Sequence, residues 1–416
     1  MGNRTFDCAA GREFIARVEE LGRSSDSPNH YTRTYLTHAH REAAARIAQW
    51  MREAGMEVRV DAVGSVIGRY EAAEPGARTL LMGSHFDSVR NGGKFDGVMG
   101  ILVPIACVAQ LSRDGVRLPV TVEIVAFADE EGTRFQTGML ASRTLVGRFD
   151  PAVLDRTDAD GVSLGQAMRE AGLDPQAIRG PQVDLASLAA YVEVHIEQGP
   201  VLLAEGRALG VVTSIAAGTR HALTVRGVAG HAGTVPMPMR HDALAAAAEM
   251  VVAIERRCGA GGSLVGTVGI LQVKDGSSNV IPGEVAFTVD IRAGDSETLA
   301  RAQQDVFAEC DAIAARRGVS VQGARTHDVK PTPCAPWLQD RIAAAIERVE
   351  GKAPARRLPS GAGHDAMILA EVTDAGMMFV RCGAGGVSHN PAETVSAEDA
   401  DAAIRALGIF LREFPA

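Results

Sequence analysis

Three short apolar runs in this chain break off into residues that can hold a cation, and this coincidence constrains the fold more than any other feature of the sequence. The first, Leu80-Leu81-Met82, leads into Gly83-Ser84-His85-Phe86-Asp87. The second, residues 120–128, leads into Asp129-Glu130-Glu131-Gly132. The third, residues 191–196, contains His195 and leads into Glu197-Gln198-Gly199. Short continuous apolar runs suit strands buried on both faces of a parallel sheet. Open α/β sheets bind their ligands beyond the carboxyl ends of such strands. His85, the Glu130–Glu131 pair and His195 are therefore expected to meet at one edge of one sheet.

The loop after His85 fits that expectation. Asp87, two residues on, can orient the imidazole from behind. Asn91-Gly92-Gly93 permits a tight turn that returns Asp96 to the same place. A carboxylate has two oxygens, so Asp96 standing between two sets of ligands could bridge cations roughly 3.5–4 Å apart. Adjacent side chains at a strand end alternate in direction, which would let one of Glu130 and Glu131 face a cation and the other a substrate. Each piece also has a plainer reading: a polar surface turn for residues 91–97, a solvated acidic turn for Glu130-Glu131, a packed core histidine for His195.

Along the chain, residues 37–54 carry the apolar spacing of an amphipathic helix closed by Gly55, and residues 57–62 and 65–70 read as a hairpin. Strand 78–84, helix 98–112, strand 120–128, a helix from about Thr137 and strand 191–196 then alternate, which predicts an α/β fold with a doubly wound, mainly parallel sheet. From about Thr213 the character changes. Residues 219–225 and 280–292 alternate like half-exposed strands, and 242–257 and 296–317 are long Ala-rich amphipathic helices. They predict an α+β unit of antiparallel sheet plus two helices whose exposed edges or faces suit subunit contact. After Lys330 the β/α pattern resumes with helix 335–349, a strand near 356–358, strand 376–381 and a last helix capped by Ser396. The expected organisation is one domain made of residues 1–212 and 330–416, with a second, residues 213–329, inserted in it.

A chain of 416 residues can bury the cores that two domains require. Its 42 basic and 51 acidic residues are interspersed, for a net charge of −9, which argues against nucleic acid or an anionic membrane as partner. Its six cysteines show no CxxC spacing, so a reducing cytoplasm is expected and neither a disulfide framework nor a zinc ribbon is implied. The N-terminus shows no apolar leader, Phe6 stands where a myristoylation motif needs Ser or Thr, and no apolar run is long enough to span a bilayer.

Six ordered motifs carry a family resemblance: G-S-H-F-D-S (83–88), N-G-G-K-F-D-G (91–97), F-A-D-E-E-G-T-R-F (127–135), H-I-E-Q-G-P (195–200), G-H-A-G-T-V-P-M (230–237) and G-V-S-H-N-P-A-E (386–393). Together they resemble the hydantoinase/carbamoylase group of the M20 metallopeptidase superfamily, which contains N-carbamoyl-L-amino acid hydrolases, β-ureidopropionases and allantoate amidohydrolases. The resemblance implies two divalent metal ions per subunit, zinc foremost with manganese, cobalt or nickel as alternatives. It implies that His85 and His195 hold one metal, that Glu131 and His389 hold the other, that Asp96 bridges them and that Glu130 is the general base. It further implies substrate contacts from Gln198, Asn279, Arg292 and, more weakly, Arg220. Arg292 would meet a carboxylate, since a guanidinium fork suits one bidentately. The inserted domain becomes a lid that also forms a homodimer, with His231 supplied across it to the neighbouring subunit's developing oxyanion. His364 and Asp365, in a Gly-flanked turn, receive no role. Ser65 and Leu203 depart from the group's usual Asn and acidic residue. The substrate expected is a small ureido compound, an N-carbamoyl-L-amino acid first, with allantoate or 3-ureidopropionate as alternatives. An aminoacylase or peptidase of the superfamily is more remote, as is a non-catalytic binding protein, which would be expected to have lost Glu130 or a metal ligand.

Overall fold

The computed structural model describes residues 8–415, so the reading of the extreme N-terminus, Phe6 included, falls outside the described residues. The chain divides into two compact units. One comprises Met1–Thr213, Cys334–Leu358 and His364–Ala416, the other Ser214–Pro333 and Pro359–Gly363.

The first unit is built on a sheet of strands β1 (Glu57–Val60), β2 (Val66–Tyr70), β3 (Thr79–His85), β4 (Thr121–Phe127), β5 (Leu188–Ile196), β6 (Leu209–Ile215) and β7 (Ala375–Val380). Their spatial order is β1-β2-β4-β3-β5-β7-β6. The central pairs β4–β3, β3–β5 and β5–β7 are parallel. Antiparallel pairs flank them, β1–β2 and β2–β4 on one side and β7–β6 on the other. Parallel strands require cover on both faces, and β3, β4 and β7 are buried at every position. Apolar runs are what such strands can be made of, which is why they stood out in the sequence.

The expected helices form at 38–53, 99–113, 336–350 and 397–412. Thr37 caps the first by accepting from the His40 N–H, and Ser396 caps the last by accepting from Asp399. Some elements differ from expectation. A helix at Ala9–Leu21 and strand β6 were not anticipated. The helix expected from Thr137 is confined to Leu140–Leu145, because Gln136 and Met139 take positive φ angles of 57° and 61° that no α-helix contains. Among the described residues no helix is long and apolar enough to cross a membrane.

In the second unit, strands Leu271–Val273, Glu284–Ala293, Ala217–Arg226 and Ser320–Val329 pair in that order, all antiparallel. Along Glu284–Ala293 the side chains alternate strictly: Val285, Phe287, Val289, Ile291 and Ala293 are buried, whereas Asp290 and Arg292 lie on the opposite face. The buried set packs with Ala246, Met250 and Ile254 of helix Ala243–Cys258 and Leu299, Val306 and Ile313 of helix Ser296–Arg317. The single strand expected over 280–292 is two. Val280–Ile281 pairs with Gly230–His231 in a separate ribbon, and Pro282, lacking an N–H, interrupts the ladder before Glu284.

Candidate metal centre

The four parallel strands of the first unit end on the same edge of its sheet, and each carries an ionisable residue of the centre at that end or in the loop beyond it. His85 closes β3 and His195 lies one residue before the end of β5. Glu130 and Glu131 follow β4 by a few residues, and His389 stands in the loop after β7. The loop returning from His85 depends on glycine at Gly97, whose φ is +68° and where a Cβ would stand 2.6 Å from the His85 ring. Arg33, fully buried, steadies the start of this loop by donating through Nε to the Phe86 carbonyl.

The imidazoles are held from behind. His85 Nδ1 lies 3.1 Å from the Asp87 carbonyl oxygen, with the Asp87 carboxylate at 3.5 Å, and His195 Nδ1 lies 2.9 Å from the Ile196 carbonyl. Donation from Nδ1 in each case leaves Nε2 as a lone-pair donor aimed into the pocket. Asp96 stands between two such sets. Its Oδ1 is 3.9 Å from His85 Nε2 and 3.3 Å from His195 Nε2, while its Oδ2 is 3.1 Å from His389 Nε2. His389 Nε2 is in turn 3.5 Å from Glu131 Oε1. Glu130 joins His85 and Glu131 in a third grouping whose ligand atoms lie within 4.8 Å of one another.

These spacings fit cations. Donor atoms bound tetrahedrally to zinc at about 2.0–2.2 Å stand about 3.4 Å apart. The His195 Nε2 atom is buried and has no hydrogen-bond partner among the described residues, an omission that costs free energy unless the lone pair serves a ligand. The charges agree. Burial opposes ionisation of Asp96, yet His389, His195 and His85 hold it well below the usual carboxylate range. Burial, with Asp96 close by, pushes Glu131 up to about 7. Burial also holds Glu130 well above the ordinary range, reinforced by Glu131, Asp365 and Asp87 against the pull of His85. Carboxylates so crowded are stabilised by positive charge placed among them.

Several residues sit differently from expectation. Glu130 and Glu131 are not on opposite faces of a strand, since β4 ends at Phe127 and both occupy the bend beyond it. The Asp87 carboxylate does more than orient a ring: it accepts the backbone N–H groups of Glu130 and Glu131 at 3.0 and 3.2 Å. Gln198, expected at the substrate, donates through Nε2 to both oxygens of Asp96 at 3.1 and 3.2 Å. His364 packs edge-on to the His195 ring, with centroids 4.4 Å apart, and Asp365 is fully buried.

The other candidates lie in the second unit. His231 and Asn279 are neighbours there: Val280 pairs with His231, and the Asn279 carbonyl accepts from Ala232 N–H at 2.9 Å. His231 is exposed and its Nδ1 accepts from the Gly233 N–H. Arg220 and Arg292 share one carboxylate, that of Asp290. Arg292 donates to it through Nε and Nη2 at 2.9 and 3.2 Å, and Arg220 donates through Nε at 2.8 Å. Asp290 is not among the residues expected at the site. Its signal was an acid at even spacing from Arg292 on an alternating strand.

The chain matches the peptidase family M20/M25/M40 over residues 79–413. It is 41% identical to an N-carbamoyl-L-amino acid amidohydrolase of Geobacillus stearothermophilus, across 94% of this chain and 95% of that one. It is 40% identical to an allantoate deiminase of Arabidopsis thaliana, across 97% and 81% respectively. A solved amidase of the hydantoinase/carbamoylase family from Burkholderia multivorans superposes with a TM-score of 0.88 at 34% identity, covering 96% of this chain and 97% of that one.

Proposed function

The chain belongs to peptidase family M20/M25/M40 and is a hydrolase of non-peptide carbon–nitrogen bonds; we propose that it is a binuclear metal-dependent amidohydrolase cleaving the ureido group of an N-carbamoyl-L-amino acid. The observation that carries this reading is Asp96, whose two oxygens face two separate sets of imidazole and carboxylate donors. His85 and His195 would hold one divalent cation and Glu131 and His389 the other, with Asp96 shared. The donor set suits zinc, with manganese, cobalt or nickel as alternatives. Bound there, the pair supplies Lewis acidity to the ureido carbonyl and acidifies the attacking water.

The protein's own part is positioning and proton transfer. Glu130 accepts a proton from the attacking water and passes it to the departing nitrogen. Cleavage of the carbon–nitrogen bond yields the free amino acid and a carbamate, which decomposes to carbon dioxide and ammonia. Gln198, Asn279 and Arg292, with Arg220 beside it, contact the substrate, and Arg292 meets its carboxylate. The lid unit also forms a homodimer, across which His231 reaches the neighbouring site. Six free cysteines support a reducing, cytoplasmic setting.

Allantoate is the second substrate to test, given the similarity to the Arabidopsis enzyme. Purified protein stripped with a chelator and reloaded with zinc, manganese or cobalt is assayed for ammonia release from N-carbamoyl-L-amino acids, allantoate and 3-ureidopropionate. Turnover of an N-carbamoyl-L-amino acid, lost on stripping and restored with two ions per chain, is the expected result. Full activity with one ion or none overturns the binuclear reading, and preference for allantoate replaces the substrate.

A further inference from the structure

Glu393, four residues after His389 in the same loop, is buried and is not among the candidate cation-holding groups of the described residues. Its Oε1 accepts the backbone N–H groups of Phe95 and Asp96 at 2.9 and 3.1 Å. Its Oε2 accepts from Ser388 Oγ at 2.7 Å. Ser388 Oγ in turn receives Gln198 Nε2 at 3.2 Å, and the same amide nitrogen donates to both Asp96 oxygens. One carboxylate thus fixes Asp96 through its main chain and, by way of Ser388 and Gln198, reaches its side chain. The same carboxylate ties the loop of His389 to the loop of His85 and Asp96, so it joins the two halves of the centre.

Gly93 is shaped to this arrangement. A Cβ there would stand 2.1 Å from the Glu393 carboxyl carbon and Oε1, so the turn needs glycine for the approach of a side chain rather than for its own backbone angles. Two backbone donors and a hydroxyl converging on one buried carboxylate form a charge-assisted network, stiffer than neutral hydrogen bonds would make it.

We propose that Glu393 is a positioning residue that sets the separation of Asp96 and His389, and with it the affinity of the centre for its cations. This rests on the binuclear reading of the site. Groups that orient metal ligands typically change metal affinity by about 10–100-fold when removed. Wild type, Glu393→Ala and Glu393→Gln are stripped and titrated with Zn²⁺ by equilibrium dialysis, and the thermal unfolding of the stripped proteins is followed by circular dichroism. Glu393→Ala is expected to bind Zn²⁺ about 10–100-fold more weakly. Glu393→Gln keeps an oxygen for the Phe95 and Asp96 N–H groups and is expected to recover most of that loss. Wild-type affinity in Glu393→Ala, or equal loss in both variants, overturns the proposal. If Glu393→Ala does not fold, Gly93→Ala, which must displace the carboxylate, carries the test: it is expected to weaken Zn²⁺ binding, and unchanged affinity overturns the proposal. Failure of the wild type to bind two Zn²⁺ defeats the binuclear reading and this inference with it. Normal wild-type binding alongside unaffected variants defeats the inference alone.

Discussion

The Asp87 carboxylate accepts the backbone N–H of Glu130 at 3.0 Å, so the residue two positions after the first histidine of the centre also fixes the main chain of the proposed base. With the neighbouring Glu131 N–H taken by its other oxygen, Asp87 ties the loop after β3 to the bend after β4. Asp87→Asn replaces one acceptor oxygen by an NH₂ that faces a backbone N–H. An unsatisfied buried donor costs about 1–3 kcal/mol, and misplacement of neighbouring ligands typically lowers activity about 10–100-fold. Steady-state kinetics with a ureido substrate, alongside a chemical denaturation curve, are expected to show both losses. Wild-type kcat in a folded Asp87→Asn would separate this carboxylate from the site.

Glu130→Gln keeps the shape of the side chain and removes its proton-accepting charge. Positioned proton transfer is worth about 10²–10⁴-fold, so kcat is expected to fall by at least about a hundredfold. Metal analysis of the same preparation is expected to return the wild-type ion content. Near-normal turnover would move the base role to another residue.

Asp290 holds Arg292 along its Nε–Nη2 edge and Arg220 through Nε. Arg292→Ala is expected to raise KM for carboxylated ureido substrates by at least about tenfold, as hydrogen bonds to charged groups contribute about 1.5–3 kcal/mol each. Asp290→Asn, which loosens the guanidinium without deleting it, is expected to raise the same KM by a smaller factor. The check is a comparison of KM for a carboxylated substrate and its neutral amide. Wild-type enzyme that turns over both equally well would remove the carboxylate role from Arg292.

His231 is exposed on the Gly230–His231 ribbon, where its Nδ1 accepts from Gly233 and Nε2 is left to donate. If it serves the neighbouring subunit, mixing His231→Ala with Glu130→Gln forms dimers in which one site carries both defects and the other none. Random subunit exchange makes about half of all dimers mixed, so activity is expected to recover toward about a quarter of wild type. Mixed dimers verified by mass spectrometry yet inactive would place His231 within its own chain or outside the reaction.

Local pattern alone determined much of this protein. Strand β3 was legible because a strand buried on both faces must be continuously apolar, and its last residue, His85, was therefore placed at the sheet edge. Helix Ser296–Arg317 was legible because a one-sided core imposes the 3.6-residue period. His195, the Glu130–Glu131 pair and Asp96 stood out because polar chelating residues ended apolar runs or followed a glycine turn. Partnerships between distant segments were not encoded that way. The Glu393 carboxylate meets Phe95 and Asp96 across sequence separations of 298 and 297 residues, and Gly93 is required by Glu393 rather than by its own turn. The bend that brings both glutamates to His85, the strand β6 paired antiparallel against β7, and the sharing of Asp290 by two arginines were likewise settled only in the folded chain. Periodicity reports how each element is buried, a property of neighbours in sequence. Which donor satisfies which acceptor depends on segments brought together by the closing of the sheet, and no local spacing carries that information.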